Sequence, residues 1–154
     1  VERILRKNAP GIFRDIRIVE YIPRGGKTYR NKASASDYSR FLYAIWNDLL
    51  PFSHEIKRLM GLQNRDRISY KVNNIPQGTK VYDKTGSTAK LCGNMGVIEA
   101  LGKDGKTYPY TFIGIIEKRR GAKSYSRWVT ARSDLIRKIS GMVYSELKSM
   151  HPLV

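Results

Sequence analysis

The segment Asp83-Lys84-Thr85-Gly86-Ser87-Thr88 gathers a cation, hydroxyls and a glycine in one short run. It follows a β-prone stretch, Thr79 to Asp83, so Lys84 to Gly86 are expected at the end of a strand. A lysine there sets a fixed positive charge at a strand edge, where it can attract a ligand carboxylate. The Thr85 hydroxyl can hydrogen-bond the same carboxylate. Gly86 removes a side chain where a ligand would lie close to the backbone. The same three residues also make an ordinary turn at a strand end, common by chance, and taken alone they favour that reading.

Other reactive side chains are few. The single cysteine, Cys92, excludes an internal disulfide and a cysteine-based zinc cluster. Standing just before Gly93, it reads as a small buried residue. The two histidines, His54 and His151, read as a first-turn surface residue and a helix-end residue that complements the dipole. No metal site and no organic cofactor are expected. Tyr29, Tyr38, Tyr43, Tyr108 and Tyr110 read as core or groove wall.

The 154 residues carry 29 Lys and Arg against 13 Asp and Glu, a net charge of +16. That excess makes a polyanion the default partner: nucleic acid, an anionic membrane surface or an anionic wall polymer. The charges are spread, with Lys118-Arg119-Arg120 the densest run, and an ordinary solvated surface is the favoured account of them. The length suits one domain or a large piece of one. A chain of this size can bury about 70% of its unfolded surface, and its Tyr, Ile, Leu and Val content excludes a disordered chain. No run of about 18 apolar residues offers a membrane span. The chain opens at Val1 with no signal-peptide apolar region, as a processed protein or a fragment would.

These residues need elements to hold them. Val1 to Lys7 reads as a helix stopped near Asn8-Ala9-Pro10-Gly11. Ile12 to Tyr21 is expected to be extended, Pro23-Arg24-Gly25-Gly26 a loop, and Arg14 to Lys32 an ordered long loop. Ser34 opens a helix, with Asp37 at capping-box spacing. Tyr38, Phe41, Leu42, Ile45, Trp46 and Leu49 follow at helical spacing, and Pro51 ends it. A shorter helix runs from His54 to Met60, with Ser53 as N-cap and Ile56, Leu59 and Met60 inward. After a polar stretch the period switches. Strands are expected over Thr79 to Asp83, Met95 to Leu101 and Tyr108 to Glu117. Gly102 to Lys106 forms the second hairpin loop. The third strand is mostly apolar, so it is expected to be central and covered on both faces. Lys118 to Lys123 is a basic turn. A long helix from about Ser126 to Met150 carries an apolar stripe of Trp128, Leu135, Ile136, Ile139, Met142, Val143 and Leu147. Gly141 inside it implies close packing, and His151-Pro152 stops it. The fold class is α+β: three consecutive antiparallel strands over about 79–117, a long C-terminal helix on one face, and helices before them.

In this setting the chain resembles the serine β-lactamase and penicillin-binding-protein superfamily, class A β-lactamases included. The resemblance rests on Pro76-x-Gly78-Thr79-x-Val81-x-x-Lys84-Thr85-Gly86-Ser87 followed by a strand, a hairpin, a strand and a long helix. Ala33 to Pro51 is similar to the helix after that family's active-site loop. The likeness covers about residues 12 to 150. Lys-Thr-Gly is one of the family's three signatures. The others are missing: Ser87-Thr88-Ala89-Lys90 and Ser145-Glu146-Leu147-Lys148 fit Ser-x-x-Lys only by accident of position, and no Ser-Asp-Asn or Ser-x-Asn occurs. The resemblance therefore implies a partial β-lactamase-like fold. Residues 1–154 would be the C-terminal portion of one domain, with the nucleophile-bearing N-terminal part elsewhere.

The resemblance further implies an exported bacterial hydrolase, periplasmic or extracellular, that acts through an acyl-enzyme on β-lactams or peptidoglycan-type peptides. Its substrate would contact Lys84, Thr85, Gly86 and Ser87, and the backbone N–H of Ser87 would be one oxyanion-hole donor. Without a nucleophile this chain alone would be inactive. Glu20 lies where class A enzymes carry the deacylation base, but Arg24 stands at the position of the family's Asn. A surface Glu paired with a neighbouring Arg is the competing account. The alternative to an enzyme is a non-catalytic basic module of the same fold that grips an anionic polymer, nucleic acid or cell-wall polymer.

Overall fold

The computed structural model describes residues 1–21, 30–62 and 64–154. It divides into two units, Val1–Ile56 and Lys57–Val154. The Pro23 to Gly26 loop, Arg24 and Tyr29 lie outside the described residues.

The first unit holds α1 (Glu2–Asn8), α2 (Ala35–Trp46) and the start of α3 (Ser53–Met60). Ser34 caps α2 by accepting the Asp37 N–H at 3.0 Å. The Ser34 N–H, the other partner of the expected capping box, is among the groups that favour the Asp37 carboxylate. That carboxylate also turns to the preceding loop, taking the backbone N–H of Arg14 at 2.9 Å and of Asp15 at 3.1 Å. It also takes the Arg40 guanidinium, whose Nε donates to Ile12 O at 2.8 Å. Asp37 is 1% exposed. Burial pushes its pKa up, yet these four donors outweigh it and hold the carboxyl below the usual range.

Helix α2 stops at Trp46, short of Pro51. Asn47 caps it and Asp48 adopts φ +56°, which ends the ladder and leaves Leu49 exposed. Ser53 is the first helical residue of α3, and Leu59 is exposed where the spacing turned it inward. Ile12 to Tyr21 makes no strand; only an isolated bridge joins Arg17 to Lys32.

The second unit is an antiparallel sheet, β1 (Lys80–Ser87), β2 (Leu91–Leu101) and β3 (Thr107–Glu117), in the order β1-β2-β3, followed by α4 (Tyr125–Met150). The α+β class and the helix across one face are as the sequence implies. Ile68, Cys92, Ile98, Phe112 and Ile136 form the core between sheet and helix. Gly105, at φ +77°, turns the β2–β3 hairpin.

Three expectations are corrected. The central strand is β2, and β3 lies at an edge among the described residues. Its Thr107, Tyr108, Pro109 and Thr111 are exposed, and a proline without an N–H suits an edge strand. Strand β1 extends past the expected Asp83 through Lys84, Thr85, Gly86 and Ser87, which are its last four residues. On α4 the buried face is Ser133, Ile136, Ser140, Gly141 and Tyr144, with Leu135, Ile139 and Met142 exposed. Small residues let the helix lie close to its neighbours. A Cβ on Gly141 would come within 2.5 Å of Asn74 Oδ1 and 2.9 Å of Val72 Cγ1.

Candidate active site

The hairpin between β1 and β2 sets the direction of every backbone group in the Lys84–Ser87 run. Thr88 N–H donates to Leu91 O at 2.7 Å, so Thr88 and Leu91 are a hydrogen-bonded pair. Antiparallel ladders alternate. With the register Gly86↔Gly93 and Ser87↔Cys92, Gly86 therefore bonds to β2, while the N–H groups of Ser87 and Thr85 point away from it. Strand β1 is the edge on that side among the described residues. Lys84 and Gly86 share one face of the sheet; Thr85 and Ser87 share the face that α4 covers.

Lys84 is exposed, and its Nζ donates to Thr85 O at 2.7 Å. At Gly86, an added Cβ would meet nothing within 4 Å, and its φ is not positive. The chain's own packing thus does not demand glycine there, and open space lies over the strand at that point.

Beneath the run lies Arg67, which sequence reading missed because it sits in a polar stretch without periodicity. It is 8% exposed. Its guanidinium donates to Ser87 Oγ at 2.6 Å, to Gly86 O at 3.1 Å, to Gly93 O at 2.5 Å and to Ser133 Oγ on α4 at 2.8 Å. One planar fork ties the end of β1 to β2 and to the helix. The Ser87 hydroxyl is thereby engaged on the helix side, leaving its N–H as the group directed at the strand edge. Ser145, in the other Ser-x-x-Lys match, accepts from Asn74 Nδ2 at 2.7 Å on α4.

Asp83, just before Lys84, is 5% exposed. Its carboxylate accepts from Asn64 Nδ2 at 2.9 Å and Asn94 Nδ2 at 2.7 Å. Asn94 Oδ1 in turn takes the Arg67 N–H at 2.6 Å. Burial raises the Asp83 pKa, and the two amide donors reduce that rise without cancelling it. A cavity of about 680 Å³ runs beside the first half of β1, lined by Arg58, Asn64, Tyr70, Lys80, Tyr82 and Asp83 among others.

Glu20 belongs to the first unit. Its Oε1 accepts the Arg30 N–H at 3.0 Å, and its Oε2 lies 3.9 Å from the Arg30 guanidinium. Asn31 pins the same residue by donating to Glu20 O at 2.9 Å and accepting the Glu20 N–H at 3.1 Å. The pairing of Glu20 with a nearby arginine is present in this loop. His54 and His151 are exposed and Cys92 is fully buried. Among the described residues no group of His, Cys, Asp or Glu could hold a metal ion, and no helix is long and apolar enough to cross a membrane.

A model of the Beta-lactamase enzyme family matches residues 1–147. Among solved structures, the chain is similar to that of PBP-A, at a TM-score of 0.63 and 20% identity over 89% of this chain and 47% of that one. It is similar also to a mutant of PBP-A solved as an acyl-enzyme complex with penicillin G, at a TM-score of 0.60 and 19% identity, over 88% and 47%. The chain spans about half the length of both. No curated protein matches it significantly.

Proposed function

The chain belongs to the Beta-lactamase enzyme family, and from that footing we propose that it forms the C-terminal part of a serine hydrolase domain working through an acyl-enzyme on β-lactams or peptidoglycan-type peptides, in an exported protein. The observation that carries this reading is the Ser87 N–H, turned out from the edge of β1 on a strand end that Arg67 clamps from below.

The nucleophilic serine belongs to a part of the domain outside these residues. As its hydroxyl attacks the substrate carbonyl, charge builds on the carbonyl oxygen, and the Ser87 N–H donates to that oxyanion. A donor fixed beforehand spends no reorganisation at the moment of reaction. Lys84 supplies the cation and Thr85 the hydroxyl for a substrate carboxylate. Gly86 leaves the space through which the substrate reaches the strand. Glu20 is the weaker assignment, as base for the deacylating water. Its Oε1 already accepts the Arg30 N–H, so the water would share a carboxylate that is partly engaged, and the reading expects slow deacylation, as in a penicillin-binding protein.

The test is intact mass spectrometry of the full-length protein after incubation with penicillin G. A mass increase equal to the whole β-lactam, persisting after excess drug is removed, supports the reading; no covalent species with any β-lactam overturns it. The 154-residue chain by itself should not turn over a chromogenic cephalosporin. Turnover by that chain would overturn the assignment of the nucleophile to another part.

A further inference from the structure

Between Glu117 and Asp134 the chain carries six cations, Lys118, Arg119, Arg120, Lys123, Arg127 and Arg132, and no acid. Four features make this run a surface and not a scatter of charges. First, it is docked on the hairpin that follows the Lys84–Ser87 segment. Lys118 N–H donates to Lys90 O at 2.9 Å, Ala122 N–H to Ala89 O at 2.8 Å, and the Trp128 indole to Thr88 O at 3.1 Å. Second, Lys118 and Arg132 both sit against the Trp128 ring, at 5.1 and 5.3 Å from its centroid. The indole holds two like charges in one place, a cost that an arriving anion removes. Third, Arg132 Nε is buried without an acceptor, so part of that guanidinium is desolvated and unmatched. Fourth, no ion pair involves these six side chains among the described residues, although Asp134 lies just beyond them and pairs with Arg137.

We propose that this face binds a linear anionic polymer with repeated phosphodiesters of the poly(glycerol phosphate) type, and that it holds such a polymer beside the Lys84–Ser87 strand. A single phosphate would satisfy two or three of the cations; a loop and two helical turns of them call for a repeating anion. Arginine forks suit phosphate oxygens. Single-stranded nucleic acid is disfavoured because it needs successive ring faces for its bases: here the Trp128 ring is taken by Lys118 and Arg132, which leaves the run a single exposed ring, Tyr125. The choice of polymer rests on the exported hydrolase proposed above; the existence of the surface does not.

Binding is measured by fluorescence anisotropy on the same full-length protein. The probes are labelled poly(glycerol phosphate), a DNA duplex and a DNA single strand of equal phosphate number, at salt from about 0.05 to 0.2 M. The expected result is binding to poly(glycerol phosphate) that weakens steeply with salt and is tighter than to either DNA. Arg119→Glu with Arg120→Glu should weaken it at least about ten-fold. Lys138→Glu with Lys148→Glu, the same change of net charge on exposed later turns of α4, should weaken it less than about three-fold. Equal losses from the two pairs, tighter binding to either DNA, or no binding at about 0.1 M salt would each overturn the proposal. Loss of the penicillin adduct with polymer binding intact would overturn the hydrolase and leave the surface; the reverse outcome would do the opposite.

Discussion

The guanidinium of Arg67, 8% exposed, donates to Ser87 Oγ at 2.6 Å, and the same group reaches the carbonyls of Gly86 and Gly93. A buried cation held by neutral oxygens leaves those oxygens stranded if it is removed. Arg67→Ala should therefore lower stability by about 3 kcal/mol in urea unfolding. Arg67→Lys keeps the charge but loses the fork and should recover less than half of that. A loss under about 1 kcal/mol for Arg67→Ala would mean the clamp does not hold the strand end.

Asp83 predicts a pH effect of a definite sign. Its folded pKa is raised above the ordinary aspartate value of 3.8, by burial first. Its contribution to stability is thus fully present below that value and is lost as pH rises through the raised one. Asp83→Asn cannot titrate. The stability of wild type relative to this variant should fall as pH rises from about 4 towards neutral. A difference that stays constant, or grows, contradicts a raised pKa.

Asp37 runs the other way. Its pKa is lowered from 3.8, because the N–H groups of Asp15 and Arg14 and the Arg40 guanidinium outweigh burial. The stability it contributes is present above 3.8 and lost as pH falls through the lowered value. Asp37→Asn should cost about 1–3 kcal/mol at neutral pH, and the gap to wild type should close in strong acid. Unfolding midpoints across pH check both carboxyl groups in one series.

Two glycines should answer differently to the same substitution. Gly141→Ala drives a methyl into Asn74 and Val72. It should destabilise by about 1–3 kcal/mol, despite a helix-propensity gain of about 1 kcal/mol. Gly86→Ala meets nothing within 4 Å and should leave stability within about 0.5 kcal/mol. Its cost should appear in the rate of acylation. Tolerance at Gly141, or a large stability loss at Gly86, would contradict the packing described.

Much of this was legible in the sequence. The three strands, the hairpin at Gly102–Lys106 and the long helix follow from period and punctuation, and the Lys84-Thr85-Gly86 run marked the strand of interest. Arg67 was not legible, since a buried arginine in an aperiodic loop leaves no local pattern. Nor was the fate of Asp37, whose capping-box spacing fits a helix start while its carboxylate serves a loop more than twenty positions away in sequence. Apolar spacing alone misassigned Leu135, Ile139 and Met142, because the buried face of α4 interleaves Ile136 and Tyr144 with Ser133, Ser140 and Gly141, which an apolar count passes over. The apolar content of β3 suggested a central strand, whereas among the described residues strand pairing puts β2 there.

The most direct test of the account is Lys84→Ala in the full-length protein, with kcat/KM for acylation measured on a carboxylate-bearing β-lactam and on its methyl ester. A charge-assisted hydrogen bond contributes about 1.5–3 kcal/mol. The account predicts a loss of about one to two decades with the carboxylate and little change with the ester. Lys84→Arg should keep part of the activity, and Thr85→Val should cost less than Lys84→Ala. Equal losses on acid and ester would contradict the carboxylate-binding role of Lys84 and, with it, the reading of this strand as the substrate edge.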